Sequence, residues 1–139
     1  MNLQRLYTTL ERHEKYKQKA YRCSAGKLTI GIGRNIDDKG ISRAESMILL
    51  ANDVSEVIDW LRKDYWWFDS LDAVRQEVII NMGFNLGRKG FSGFKKTIGY
   101  ISDGKFDQAA AEMLNSLWAD QVGYRAQELA RAMASGIHE

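Results

Sequence analysis

Leu3, Leu6, Tyr7 and Leu10 recur at helical spacing among polar neighbours, which predicts an amphipathic helix over residues 2–14 or so. From about residue 20 to 34 the period changes. LTIGIG (28–33) alternates strictly and SAGK (24–27) before it is turn material, so a hairpin or small sheet is expected. DDKG (37–40) reads as another turn. Ser42 followed by Glu45 has the spacing of a capping box. It opens a long helix to about Lys63, with Met47, Leu50, Val54, Val57, Ile58 and Leu61 along one side. After DYWWF, Asp69 or Asp72 can cap a helix ending near Gly87. Three further helical segments are expected at roughly 93–102, 106–117 and 121–134, with Gly104 and Gly136 as terminating glycines. The chain has no proline, so these boundaries rest on caps and glycines alone.

The pattern describes an α+β, mostly helical chain: an N-terminal helix and small β lobe over about 1–41, a connecting helix over about 42–63, and a helical lobe over about 64–139. A length of 139 residues and a hydrophobic content of 45% suit a single domain with a real core. Four Trp, six Tyr and five Phe argue against disorder. A long helix between a small β lobe and a helical lobe is a natural way to form a cleft.

Net charge is +2 but unevenly placed: residues 1–40 hold nine Lys/Arg against four Asp/Glu, the remainder eleven against fourteen. A basic front end suits an anionic partner, either nucleic acid or a cell-wall polymer; ordinary solvated helix faces give the same count. The lone cysteine, Cys23, excludes an internal disulfide and fits a reducing cytoplasm. The first fifteen residues are interrupted by charge, unlike a signal peptide, and the longest apolar run, MILLA (47–51), is too short to span a bilayer. His13 and His138 lack ligand spacing, so neither metal nor cofactor is expected.

Candidate chemistry starts at Glu14, four residues after Leu10 and therefore on the apolar stripe of the first helix. A carboxyl on a core-facing stripe is partly desolvated, which favours the neutral form that a general acid needs. A frayed last turn in water, or a buried ion pair, would explain the residue equally well. In the strand, Leu28, Ile30 and Ile32 are expected to point inward. Thr29, Gly31 and Gly33 would then form a nearly bare opposite face, open to a ligand or marking a bulge. Cys23 precedes the turn and Thr29 follows it, which makes them neighbours across the hairpin. A small core cysteine is the plain alternative. An acid, a thiol and a hydroxyl converging on a glycine-floored surface have the layout of glycoside hydrolysis.

The spacing Glu14–x8–Cys23–x5–Thr29, with LTIGIGR attached, resembles the catalytic signature of the phage-type lysozymes, glycoside hydrolase family 24. DSLDAVRQEVIINMGFNLG (69–87), GFSGF (90–94), FDQAAAEMLNSLW (106–118) and YRAQELA (124–130) follow in family order. The resemblance implies a two-lobed lysozyme-like fold and a muramidase that cuts the β-1,4 bond between N-acetylmuramic acid and N-acetylglucosamine with inversion. By carry-over Glu14 is the general acid, Cys23 helps set the water on the opposite face of the sugar, and Thr29 hydrogen-bonds that water. Arg125 supports the glutamate, and Asn35, Phe84, Thr97 and Glu112 are substrate contacts. Arg22 or Lys27 is a candidate for lowering the thiol pKa by charge. The loop between GIGR and Ser42 is shorter than in the family.

The resemblance further implies a monomeric endolysin that collects in the host cytoplasm, reaches the wall once a holin opens the inner membrane, and binds peptidoglycan glycan strands without stable membrane insertion. Two other readings compete: a basic helical nucleic-acid binder, against which no recognised motif stands out, and a lysozyme fold that binds cell wall without catalysis, against which Glu14 and Thr29 are both present.

Overall fold

Asn2 starts the first helix by accepting the Arg5 N–H at 2.9 Å. The computed structural model describes residues 1–138. Its helices and strands are α1 (Leu3–Glu14), β1 (Tyr16–Arg22), β2 (Leu28–Ile32), β3 (Arg34–Asn35), α2 (Ile36–Lys39), α3 (Arg43–Asp64), a 3-10 turn (Phe68–Ser70), α4 (Ala73–Ser92), α5 (Lys95–Ser102), α6 (Phe106–Leu114), α7 (Leu117–Val122) and α8 (Tyr124–Ser135). The class is α+β, mostly helical, as the pattern predicts. The chain falls into two compact units that divide within α3, between Leu49 and Leu50.

In the first unit, Lys15 takes φ 65° and ends α1 abruptly. The sheet therefore begins at Tyr16, earlier than the alternation suggested. β2 is central in an antiparallel sheet: Tyr21 pairs with Thr29 and Arg22 with Leu28 on one side, Thr29 with Asn35 and Ile30 with Arg34 on the other. DDKG is a one-turn helix and not a bare turn, because Asn35 caps it by accepting the Asp38 N–H at 3.0 Å. The capping box of α3 forms as expected: Glu45 N–H donates to Ser42 Oγ at 3.1 Å and Ser42 N–H to Glu45 Oε1 at 2.8 Å. Arg34 also binds Glu45, and these donors lower the Glu45 carboxyl to about 2.

Two expected faces are reversed. Thr29, assigned to the bare face of β2, is 4% exposed, while Ile32, expected inside, is 47% exposed. Thr29 is flanked on both sides by paired strands, and Gly31, at φ 69°, breaks the two-residue alternation before Ile32. Likewise Leu3, Leu6, Tyr7 and Leu10 are all exposed, and α1 buries none of its residues. Among the described residues Thr29 is the one buried side chain of this unit. Forty-nine residues with three short strands cannot enclose a core.

The core lies wholly in the second unit, where Leu61, Phe68, Ile79, Met82, Phe91 and Met133 are fully enclosed. The α3 stripe joins it only from Val57 onward; Met47 and Leu50 are exposed. Asp72 caps α4 by accepting the Arg75 N–H at 3.1 Å, whereas Asp69 pairs with Arg62. Gly87 (φ 75°, ψ 169°) leaves helical geometry and breaks α4 into two helical pieces where a helix end is expected. The segment expected over 106–117 stops at Leu114, Ser116 caps α7, and Gly123 at φ 59° splits the helix expected over 121–134. Arg75 ties the start of α4 to the end of α8. Its Nε donates to Met133 O at 2.6 Å and its Nη2 to Ala134 O at 2.9 Å, filling carbonyls that the helix end leaves open.

Gly83 lies on the core side of α4. A Cβ there would stand 3.0 Å from both Trp60 Cη2 and Val57 Cγ1, and both neighbours are buried. Gly99, inside α5, has open space around it. Gly83→Ala is expected to lower unfolding free energy by about 1–3 kcal/mol through overpacking, and Gly99→Ala to raise it by about 0.5–1 kcal/mol through helix propensity. Urea midpoints at constant m-value check both signs.

Candidate active site

Glu14 is the last residue of α1, and Gly33 is the turn between β2 and β3. Gly33 takes φ 71°, and a Cβ on it would lie 2.8 Å from Glu14 Oε2 and 3.0 Å from its Cδ. The carboxyl thus rests on bare backbone, a closeness that only glycine permits. The side chain is nonetheless exposed. The shelter expected from its place on the α1 stripe is absent in the free protein, because that stripe is not a core face.

Cys23 closes the β1–β2 hairpin: its N–H donates to Lys27 O at 2.9 Å, and Gly26 N–H donates to Cys23 O at 2.8 Å. The half-buried thiol is held below its ordinary pKa, first by a hydrogen bond from the Lys27 backbone N–H, then by that of Ala25, with the Thr29 hydroxyl adding to them and partial desolvation opposing. Charge from Arg22 or Lys27, the expected cause, is occupied elsewhere. The Arg22 guanidinium reaches Gly26 O and Asp37, and the Lys27 ammonium pairs with Asp38 at 3.1 Å. Backbone amides stabilise the thiolate instead. The Thr29 hydroxyl donates to Lys27 O at 2.9 Å. It carries one proton, so it can donate to the sulfur only by releasing that carbonyl. Glu14, Cys23 and Thr29 therefore lie in one unit, around the β2 strand and its two turns.

Asn35 is in the same unit, but its side chain is engaged with Asp38, accepting from the backbone N–H and donating to Oδ2 at 3.0 Å. The other expected residues lie in the second unit. Thr97, 2% exposed, and Glu112 share a groove of 540 Å³ with Trp118 and Gln121. Phe84, 43% exposed, lines a different groove with Ile80, Asn81 and Arg125. Arg125 is held by Asn81, whose Oδ1 accepts from Nε at 2.9 Å and Nη2 at 2.7 Å. Asn85 similarly accepts the Trp118 indole N–H at 2.8 Å. The sequence reading passed over both asparagines. The signal was there: two asparagines one helical turn apart inside an apolar run, where that residue type is disfavoured unless it bonds something.

The phage lysozyme family model matches residues 11–134. This chain belongs to the phage lysozyme family. It is similar to two proteins of Dictyostelium discoideum. One is "Probable T4-type lysozyme 2", 30% identical over 99 residues, covering 69% of this chain and 58% of the relative. The other is "Probable T4-type lysozyme 1", 33% identical over 69 residues, covering 50% of this chain and 41% of the relative. The chain thus spans about half the length of the curated relatives it matches. Among the described residues of this phage lysozyme family member, no helix is long and apolar enough to cross a membrane, and no cluster of His, Cys, Asp and Glu is placed to hold a metal ion.

Two predictions follow from the geometry. Iodoacetamide should alkylate native Cys23 with a midpoint pH below that of the same chain unfolded in urea; coincident native and unfolded curves would remove the amide effect. Gly33→Ala should keep the fold at a cost of about 1–2 kcal/mol, the penalty of left-handed backbone at a side-chain-bearing residue. It should also displace the Glu14 carboxyl, visible as changed NMR shifts for that side chain.

Proposed function

We propose that this chain is an endolysin muramidase that hydrolyses the β-1,4 bond between N-acetylmuramic acid and N-acetylglucosamine in bacterial peptidoglycan and so lyses the host. The observation that carries this reading is membership of the phage lysozyme family, supported by Glu14 against the Gly33 turn at one end of β2 and Cys23 and Thr29 about the hairpin at its other end. Glu14 donates its proton to the leaving glycosidic oxygen. A water on the far side of the sugar is oriented by Thr29 and gives up its proton toward the Cys23 thiolate. Attack from that side inverts the anomeric carbon, and it requires about 6.5–9.5 Å between the two groups. Glu14 is open to solvent in the free protein, so the glycan itself is what excludes water from it during the reaction.

Arg125, oriented by Asn81, supports the acid, and Asn35, Phe84, Thr97 and Glu112 contact the glycan. The exposed Lys17 and Lys19 of β1 add attraction for the carboxylates of the peptide stems. The protein works as a monomer, accumulates in the host cytoplasm and reaches the wall through a holin-opened inner membrane.

Glu14→Gln should lower the release of reducing ends from purified peptidoglycan by about 10²–10⁴-fold, the usual contribution of a general acid. Cys23→Ala should lose most activity, Cys23→Asp should keep much of it, and alkylation of the thiol should inactivate. Wild-type turnover by the glutamine variant would end the acid assignment. Clearing of cell-wall turbidity, with the anomeric configuration of the new reducing end read by NMR, is the deciding measurement.

A further inference from the structure

A third groove, of 540 Å³, runs between α3 and α4 within the second unit, and of the residues given roles above it touches only Phe84. Its α3 wall carries Asp53, Glu56 and Asp59, three residues apart and so on one side of the helix. All three are exposed, and among the described residues none pairs with a cation. Lys63, one turn beyond Asp59, likewise makes no direct ion pair among those residues. Arg88 on the α4 side is already taken, binding Asp64 through two bonds of 2.7 and 2.6 Å.

Trp60 also lines this groove and is 8% exposed. The benzo end of its ring packs on Gly83, which has no side chain to push it away. Its indole N–H has no hydrogen-bond partner among the described residues. No fully enclosed side-chain nitrogen or oxygen there lacks a partner, so this N–H keeps some access to solvent on a residue that lines the groove.

An indole N–H of this kind calls for a carbonyl or carboxylate oxygen. Unpaired carboxylates along one wall call for an ammonium group, and Lys63 calls for a carboxylate. A neutral sugar could satisfy the indole but would use none of the charge. We propose that this groove binds the amine-bearing diamino acid of a peptidoglycan stem peptide, its ammonium on the Asp53–Glu56–Asp59 wall and an amide carbonyl on the Trp60 N–H. A free carboxylate, where the diamino acid has one, falls to Lys63. The assignment rests on the reading of peptidoglycan as substrate.

The test is an NMR titration of the whole protein with three probes: the sugar-free tripeptide N-acetyl-L-Ala-γ-D-Glu-meso-diaminopimelate, whose one free amine is that of the diamino acid, the same peptide acetylated on that amine as well, and a tetramer of N-acetylglucosamine. The tripeptide should bind saturably and shift the Trp60 indole N–H. Acetylation should weaken it at least 10-fold, as should Asp53→Asn, Glu56→Gln and Asp59→Asn combined, which alter exposed positions and should leave the unfolding midpoint in place. Trp60→Phe, which removes the donor together with one ring of a core side chain, should weaken it about 3-fold or more, read beside the variant's unfolding midpoint. Equal affinity for free and acetylated peptide, or for wild type and the triple variant, overturns the proposal. So does a shift of the Trp60 N–H by the sugar tetramer and not by the peptide. Release of reducing ends is scored separately: its absence refutes the muramidase reading, while its presence without tripeptide binding refutes the groove assignment alone.

Discussion

A side chain at position 33 would displace the Glu14 carboxyl, and the candidate active site is built on that constraint. Its backbone sits at φ 71°, turning β2 directly into β3, and the space where a Cβ would stand is taken by the Glu14 carboxyl. The same turn sets Asn35 opposite Thr29 and so brings the α2 cap into place. With one buried side chain, the first unit has almost no hydrophobic term holding this geometry. Polar contacts do it instead. Asp37 accepts the Leu28 N–H at 2.7 Å and faces Arg22, and Glu45 serves both Arg34 and the α3 cap. Exposed pairs of this kind contribute about 0–1 kcal/mol each, so the proposed chemistry sits on the more easily opened part of the chain.

The second unit is organised the other way. Its helices share an enclosed core, and its polar contacts are few and directed. Arg75 is the clearest case: largely enclosed, it bonds the last carbonyls of α8, pairs with Asp72 and lies 3.9 Å over the Phe106 ring. Removing it would leave helix-end carbonyls and a half-covered carboxylate without partners, which costs more than the bonds themselves contribute. Helix α4 combines both roles. Val78, Ile79 and Met82 face the core, while Asn81 and Asn85 hold Arg125 and Trp118.

Local chemistry was the legible part of the sequence. The Ser42–Glu45 box, the Asp72 cap and the Gly136 stop need only neighbouring residues, and all three form. Gly87 breaks the helix where its end was expected, but a glycine whose effect depends on the surrounding chain was not legible: Gly123 splits a helix it was expected to lie within. Periodicity says that two faces differ, but not which one is covered. That is why the α1 stripe and the inner face of β2 were both misassigned. The Glu14–Cys23–Thr29 spacing could be read directly, whereas the rest of the carboxyl on Gly33 follows from a positive φ at Lys15 that no side chain there announces.

The source of the thiol's acidity bears on what it can do. A thiolate paired with lysine is a stabilised ion whose lone pairs face a cation, and a water would have to compete with that cation for it. Here the nearby cations are bound to Asp37 and Asp38, and the stabilising groups are amides of the hairpin itself. Amides carry no net charge, so they favour the thiolate without placing a cation against it. The Thr29 hydroxyl gives its proton to Lys27 O, which leaves its oxygen as an acceptor. A water donating one hydrogen to that oxygen and the other to the sulfur would present a lone pair outward. Under the proposed mechanism, Cys23 would orient that water without needing a counterion.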